Sequence, residues 1–227
     1  QSIAREALRL SFIQHKEFAV SLKGVQQERT ISDTFDQTIS GETLVNMNEL
    51  DMIVGSGGVL SHAPRREQAY RMLVDAFLPE GITQIAVDSI FMMPQLGVLS
   101  EVHEKAAVEV FNKDCLVRLG TCIAPVGAND KSNEILEYSF EFNNKKVEGI
   151  LKFGEIILVA VDYISVKTKL IMKENYTING LSEFKGNVYG GEVGIMLDGR
   201  GRPFDFNSFN KTFIKNWSIQ TNEYPLE

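Results

Sequence analysis

The sequence predicts an α/β region followed by a β-rich, largely antiparallel region. Up to Val110, helical patterns alternate with short apolar runs, and this alternation is typical of α/β folds. From about Asn112 onward, several segments rich in Val, Ile, Tyr or Phe follow one another, and Gly, Asn or Asp separates them. We therefore expect two domains, residues 1–112 and residues 113–227.

The first element is predicted to be a helix, because apolar residues recur on one side of it. These residues are Ala4, Ala7, Leu8 and Phe12. The chain opens with Gln1 and not with Met, and we expect it to be a piece of a longer protein. Between Phe18 and Asn48 the sequence is polar and its pattern is weak, with short strands expected around Val25 and Thr38.

The stretch Leu50–Phe77 combines a strand, a glycine-rich turn and a helix. Apolar Met52–Val54 predicts a buried strand, and the glycines of Gly55–Gly58 allow a sharp turn with exposed amides. A helix is expected to begin at Pro64, since apolar residues then recur with helical spacing. The spacing is neither that of a Walker loop nor that of G-x-G-x-x-G. Either the turn binds an anion or a nucleoside phosphate, or glycine only lets the helix pack close to the strand.

A carboxylate follows the next predicted strand. Asp88 comes directly after the apolar run Ile85–Val87, and a carboxylate there either reaches a ligand or caps the following structure. Both interpretations stay open. Pro94 then opens a second predicted helix, and for His103 on this helix we expect a surface or packing role, because no nucleophile lies near it in the sequence.

A second polar cluster follows the predicted strand 194–197. Asp198, Arg200 and Arg202 lie there, in the segment DGRGRP. The two arginines either bind a phosphate or a partner's carboxylates, or they are solvated side chains of a simple glycine turn. We expect both side chains to be exposed, so that replacing both by Ala leaves the fold intact.

Composition excludes several function classes. The 227 residues carry a net charge of −7 with a pI near 5.1, which argues against a nucleic-acid-binding surface. No apolar run reaches the ~18 residues of a membrane span, so we expect no membrane partner and a cytoplasmic protein. Cys115 and Cys122 are expected to be buried, reduced thiols and not metal ligands. No nucleophile–base pair stands out, so we predict neither catalytic nor metal-ligating residues.

Three sequence blocks resemble one protein family, in the family order and over nearly the whole chain. They are IVGSGGVLSHAP, FLPEGITQIAVDSIFMMPQLGVLSEV and YGGEVGIMLDGRGRPF. The first resembles the adenosine-binding segment of the actin, sugar-kinase and heat-shock-chaperone superfamily. Together they resemble the MutL family that accompanies adenosylcobalamin-dependent glutamate mutase and related aminomutases, which is distinct from the mismatch-repair protein of the same name.

This resemblance implies a fold and a function. The first region would be the C-terminal part of an actin-like nucleotide-binding domain, whose first lobe would lie upstream of Gln1. The chain would then be the C-terminal portion of a chaperone-like, ATP-dependent reactivating factor. Its partners would be an adenosylcobalamin-dependent mutase and ATP or ADP with Mg²⁺. ATPase activity would be expected only in the full-length protein, because half of the phosphate clamp supports little turnover.

The resemblance also suggests which residues bind nucleotide. The turn would contact the ligand through Gly55, Ser56, Gly57 and Gly58, and Arg65 or Arg66 would flank the adenosine. Further contacts to a ligand or partner are expected at Asp88, Asp198, Arg200 and Arg202. The alternative function is a non-catalytic protein-interaction module with a vestigial nucleotide cleft.

Overall fold

The computed structural model describes residues 1–19, 44–127 and 134–222, so the strands expected around Val25 and Thr38 lie outside the described residues. The helices are α1 (Ser2–Phe18), α2 (Gly58–Ser61), α3 (Arg66–Phe77), α4 (Met93–Val110) and α5 (Lys211–Gln220). The strands are β1 (Met52–Gly55), β2 (Gly81–Asp88), β3 (Leu116–Ala124), β4 (Val126–Gly127), β5 (Glu134–Phe142), β6 (Lys145–Lys152), β7 (Ile156–Val159), β8 (Ser165–Met172), β9 (Tyr176–Thr177), β10 (Glu183–Tyr189) and β11 (Gly194–Asp198). Short helical turns lie at Met47–Glu49, Phe111–Cys115 and Phe206–Ser208.

Five strands form a mixed sheet in the order β1-β2-β3-β11-β7. The pairs β1–β2 and β3–β11 are parallel, whereas β2–β3 and β11–β7 are antiparallel. Strands β1 and β2 come before residue 112 and the other three come after it, so the sheet runs across the predicted domain boundary. The division into two domains stays a prediction.

A separate four-stranded antiparallel sheet has the order β10-β8-β5-β6. Strand β8 alternates strictly between exposed and buried residues, as expected for a sheet with one face on the core and one in water. Asn143 and Asn144 join β5 to β6 with φ values of 48° and 59°, the left-handed conformation that a two-residue hairpin turn needs. The prediction of an α/β part and a largely antiparallel β part is confirmed at this level.

Side chains alternate between the two faces of the five-stranded sheet, and both faces are buried. On β11, Met196 packs with Tyr70 and Leu73 of α3, while Ile195 and Leu197 pack with the antiparallel sheet. Helix α3 therefore covers one face of the mixed sheet, and the antiparallel sheet covers the other.

Helix α3 begins later than predicted. The chain first forms the short helix α2 directly after the glycine turn, and Pro64 lies in the bend between α2 and α3. The first residue of α3 is Arg66, with Arg65 at its N-cap position. The helical spacing of the apolar residues correctly predicted α3, but no sequence pattern predicted the additional turn of helix.

Helix α1 lies on the surface beside α3. None of its residues is fully buried, and the Phe12 and Phe77 rings meet edge to face with centroids 4.8 Å apart. Arg5 adds an ion pair to Asp75, with Nη1 and Oδ2 separated by 3.1 Å. None of the helices within the described ranges is long and apolar enough to cross a membrane.

Candidate functional site

The glycine turn joins β1 to α2, and glycine is needed at its positions for different physical reasons. A Cβ on Gly55 would lie 2.8 Å from Leu60 and 2.9 Å from Leu73, so this glycine permits close packing of helix on strand. Gly57 has φ +99° and ψ 157°, a backbone conformation that residues with a side chain rarely adopt, and within the described part of the chain no atom beyond its neighbours lies within 4 Å of its Cβ position. The packing interpretation therefore fits Gly55, whereas Gly57 opens onto free space.

A groove of about 310 Å³ separates this turn from α1. Its α1 wall consists of small or apolar side chains and one serine, and its other wall is the turn itself. The lining residues are Ala4, Ala7, Leu8, Ser11 and 56–60. The Ser56 hydroxyl is buried and has no hydrogen-bond partner among the described residues. A buried hydroxyl without a partner costs free energy, so a polar ligand in the groove would remove that cost.

The two arginines expected to flank a nucleotide are engaged with the protein's own groups. Arg66 donates from Nη1 to the Ser61 carbonyl at 2.9 Å, and its Nε lies 3.4 Å from a Glu192 carboxylate oxygen. Arg65 pairs with Glu67 at 3.3 Å. Each arginine is already paired, and neither belongs to the residues that line the groove.

Ser61 and His62 form a contact that resembles a nucleophile and its base. Ser61 Oγ lies 3.0 Å from His62 Nδ1 and 3.1 Å from the Gly57 carbonyl oxygen. When the hydroxyl donates to the Gly57 carbonyl, His62 completes the second contact only in the tautomer that carries a proton on Nδ1. In that arrangement the imidazole is a donor to this serine and not its base.

Asp88 caps the start of α4. Its carboxylate accepts hydrogen bonds from the backbone amides of Ile90, Met92 and Met93 at 3.4, 3.2 and 3.0 Å. The side chain is fully buried at the end of β2. Of the two interpretations left open by the sequence, the geometry favours the cap, and contact of Asp88 with a ligand stays an untested prediction.

The expectation that Arg200 and Arg202 are exposed is wrong. Their exposed fractions are 2 % and 1 %, and that of Asp198 is 1 %. Arg200 donates to both carboxylate oxygens of Asp198 at 2.8 and 2.7 Å, and Arg202 donates to one of them at 2.7 Å. Burial alone would raise the pKa of Asp198, but the two guanidinium groups outweigh it and hold that pKa well below its usual range. Replacing both arginines by Ala should therefore destabilise the fold.

The network continues to α3 and α1. Arg200 Nη1 lies 2.6 Å from Asp75 Oδ1, while Asp75 Oδ2 accepts from Arg71 at 3.0 Å and from Arg5 at 3.1 Å. Burial would raise the pKa of Asp75, but the arginines around it lower the pKa to about 2. The sequence analysis missed Asp75 and Arg71, although their i, i+4 spacing on a helix is a signal for an ion pair.

Aromatic rings close this network on the side of the C-terminal helix. The Arg200 guanidinium carbon lies 5.5 Å from the Phe204 ring centroid and 5.2 Å from that of Trp217. Trp217 also donates from Nε1 to the Gly154 carbonyl at 2.6 Å. The DGRGRP segment therefore contacts its own α3 and α5, and the structure gives it a role in holding these elements together. A contact with ligand or partner stays a prediction.

The polar groups thus fall into two sets that differ in what they can do. The glycine turn and its groove offer backbone amides and one unpaired hydroxyl, which suits an uncharged or anionic ligand. In the buried arginine–aspartate network, the carboxylates of Asp75 and Asp198 are ion-paired with arginines of the same chain. In the described ranges, no group of three or more His, Cys, Asp or Glu side chains could hold a metal ion.

Comparison with known proteins gives one match. The family described as MutL protein matches residues 1–115, which is half of the 227-residue chain and includes α1, the glycine turn and α4. No curated protein and no solved structure matches the chain.

Proposed function

The chain belongs to the MutL protein family, and on that premise we propose that it works in a chaperone-like, ATP-dependent reactivating factor for an adenosylcobalamin-dependent aminomutase such as glutamate mutase. Such a factor would release damaged cobalamin so that intact coenzyme can enter. Nucleotide would act by favouring one of two conformations, because a ligand shifts an equilibrium only through its different affinities for the two states.

The observation that carries the nucleotide part of this proposal is the groove beside the glycine turn. It contains the unpaired Ser56 hydroxyl and the open space over Gly57, both of which a ligand's polar groups could use. These features fit a nucleotide. The apolar side chains of Ala4, Ala7 and Leu8 on the opposite wall suit a flat, largely apolar base.

The residues proposed to hold ATP or ADP are those of the turn. Gly57 and Gly58 would present main-chain amides to phosphate oxygens, and Ser56 would donate its hydroxyl. Bound ATP with Mg²⁺ would supply the free energy of phosphoanhydride hydrolysis. Arg65 is already paired with Glu67, and Arg66 with Ser61 and Glu192. These pairs would hold the two side chains in place at the rim of the site.

We further propose that the mixed sheet with α3 belongs to an actin-like nucleotide-binding domain. The support is the succession of β1, the glycine turn and a helix that packs on the sheet, together with the sequence resemblance of IVGSGGVLSHAP. A localisation in the cytoplasm is proposed on the same family grounds.

One observation favours the alternative, a protein-interaction module with a vestigial cleft. Arg65 and Arg66, the two arginines expected to flank a nucleotide, are paired internally, so neither is free to neutralise a phosphate. The two functions make different demands on the turn, since only the first requires an intact glycine at position 58.

The experiment is a reactivation assay with glutamate mutase that holds inactivated cobalamin. The full-length protein should restore mutase activity with ATP and not without it, and the Gly58→Asp variant should restore much less. Gly97→Asp is the matched control, because Gly97 is also a helical glycine and no atom of the other described residues lies within 4 Å of its Cβ position. ATP-independent recovery, equal for both variants, would instead support the interaction module.

A further inference from the structure

Helix α4 consists of two helical segments joined at His103. This residue has φ −150° and ψ 75°, far from helical values, whereas the residues on both sides of it are helical. Leu96 in the first segment and Ala107 in the second belong to one buried cluster with Cys115. In a straight helix these two residues would be about 16 Å apart along the axis. The break at His103 is therefore part of how α4 packs.

The His103 side chain caps the second segment. The backbone amide of Ala106 donates to His103 Nδ1 at 3.2 Å, three residues after the break. This is the position at which an N-cap side chain normally accepts a hydrogen bond, although Ser, Thr, Asp or Asn usually supplies it. An amide can donate only to a nitrogen with a lone pair, so the ring proton must lie on Nε2. The cap thus requires the neutral imidazole in one tautomer.

The charged groups of α4 and of the turn packed against it are the ones to consider beside this imidazole. On α4 they are Glu101, Glu104, Lys105 and Glu109, of which Lys105 pairs with Glu109 at 3.9 Å. The following turn, Phe111–Cys115, contributes Lys113 and Asp114. Within the described parts of the chain, no hydrogen bond or ion pair joins any of these groups to His103. The cap therefore depends on the protonation state of the ring and not on a charged partner.

We propose that His103 is a hinge in α4 that is controlled by protonation of its side chain. Protonation at Nδ1 removes the only acceptor that the ring offers to Ala106, so the second segment loses its cap and the angle at residue 103 is released. Imidazole is the side chain that ordinarily gains a proton between pH 5 and 8. The first segment carries Val98 and Val102, whose exposed fractions are 72 % and 87 %. The angle at the hinge sets the direction in which these two side chains point.

The test is an NMR titration of the ¹⁵N-labelled chain between pH 8 and pH 5. At pH 8 the imidazole ¹⁵N shifts of His103 should show a proton on Nε2. The Ala106 amide signal should then move with the same midpoint as the His103 ring, and its hydrogen exchange should become about fivefold faster when the cap is lost. Rates are compared after correction for the intrinsic pH dependence of exchange.

Two variants test whether His103 caps the Ala106 amide or only lies beside it. His103→Asn offers a neutral acceptor, so the Ala106 amide should stay protected and pH-independent. His103→Ala should show the unprotected amide at every pH. As a control, His15→Ala should leave the Ala106 profile unchanged, because His15 lies on α1. A proton on Nδ1 at pH 8 would overturn the proposal. So would an Ala106 amide whose signal and hydrogen exchange do not change as His103 is protonated.

Discussion

Replacing Asp198 by Asn should be among the most damaging single changes in this protein. The carboxylate accepts three side-chain hydrogen bonds, two from Arg200 and one from Arg202, and all three residues are buried. Asparagine keeps the shape but removes the negative charge, so two guanidinium groups remain in the interior with less compensation. Breaking a buried ion pair by removing one partner costs about 3–5 kcal/mol.

That cost is a large fraction of the roughly 5–15 kcal/mol that stabilises a typical domain. The matched control is Glu141→Gln, which breaks the exposed ion pair of Glu141 with Lys167, 3.1 Å long. A surface pair of this kind is worth at most about 1 kcal/mol. The two variants therefore remove the same charge from a buried and from an exposed site.

The assay is urea unfolding followed by the fluorescence of Trp217, the single tryptophan, which lies against Arg200. The denaturation midpoint of Asp198→Asn should fall far more than that of Glu141→Gln, with the urea dependence of the free energy unchanged. If both variants lost similar stability, the account of a buried network that holds α3, β11 and α5 together would be refuted.

The pKa of Asp75 is lowered to about 2, so its ion pairs stabilise the fold fully at pH values above the pKa of an unfolded Asp. The free energy of unfolding should therefore fall by about 2 kcal/mol as the pH falls from about 4 through 2. Urea titrations at each pH should show this decrease in the wild type and not in Asp75→Asn. Asp88→Ala should cost about 1–2 kcal/mol in chemical denaturation by removing the α4 cap, whereas Asp88→Asn should cost less. Trp217→Phe should lower the free energy of unfolding by about 1–3 kcal/mol, measured by calorimetry, because the buried Gly154 carbonyl loses its donor.

Local patterns predicted much of the fold. The strand Met52–Gly55, the glycine turn and the helix ending at Phe77 follow from apolar spacing and backbone freedom within a few residues of each other. Cys115 and Cys122 were expected to be buried free thiols and are, and burial raises the pKa of Cys122 to about 12.

What the sequence could not provide depends on residues far apart in the chain. The prediction that Arg200 is solvated failed because its partner Asp75 lies 125 positions away, and no local pattern joins them. The pairing of β3 and β11 beside β2 is non-local in the same way, so a change in composition near residue 112 could not show that one sheet spans it. The sequence analysis named Ser56 as a turn residue, but no local pattern could show that its hydroxyl has no partner among the described residues, because this is a property of the folded groove.

The glycine turn is the centre of the functional account, and calorimetric titration with ATP tests it most directly. The full-length protein should bind ATP, and Gly58→Asp should weaken binding by roughly tenfold or more, because a side chain and a negative charge then face the phosphates. The new Cβ would lie 3.9 Å from His62, an ordinary contact, so the variant should fold. Gly97→Asp should bind like the wild type. Equal affinity for ATP and inorganic triphosphate, or full binding by Gly58→Asp, would contradict a nucleoside site at this turn.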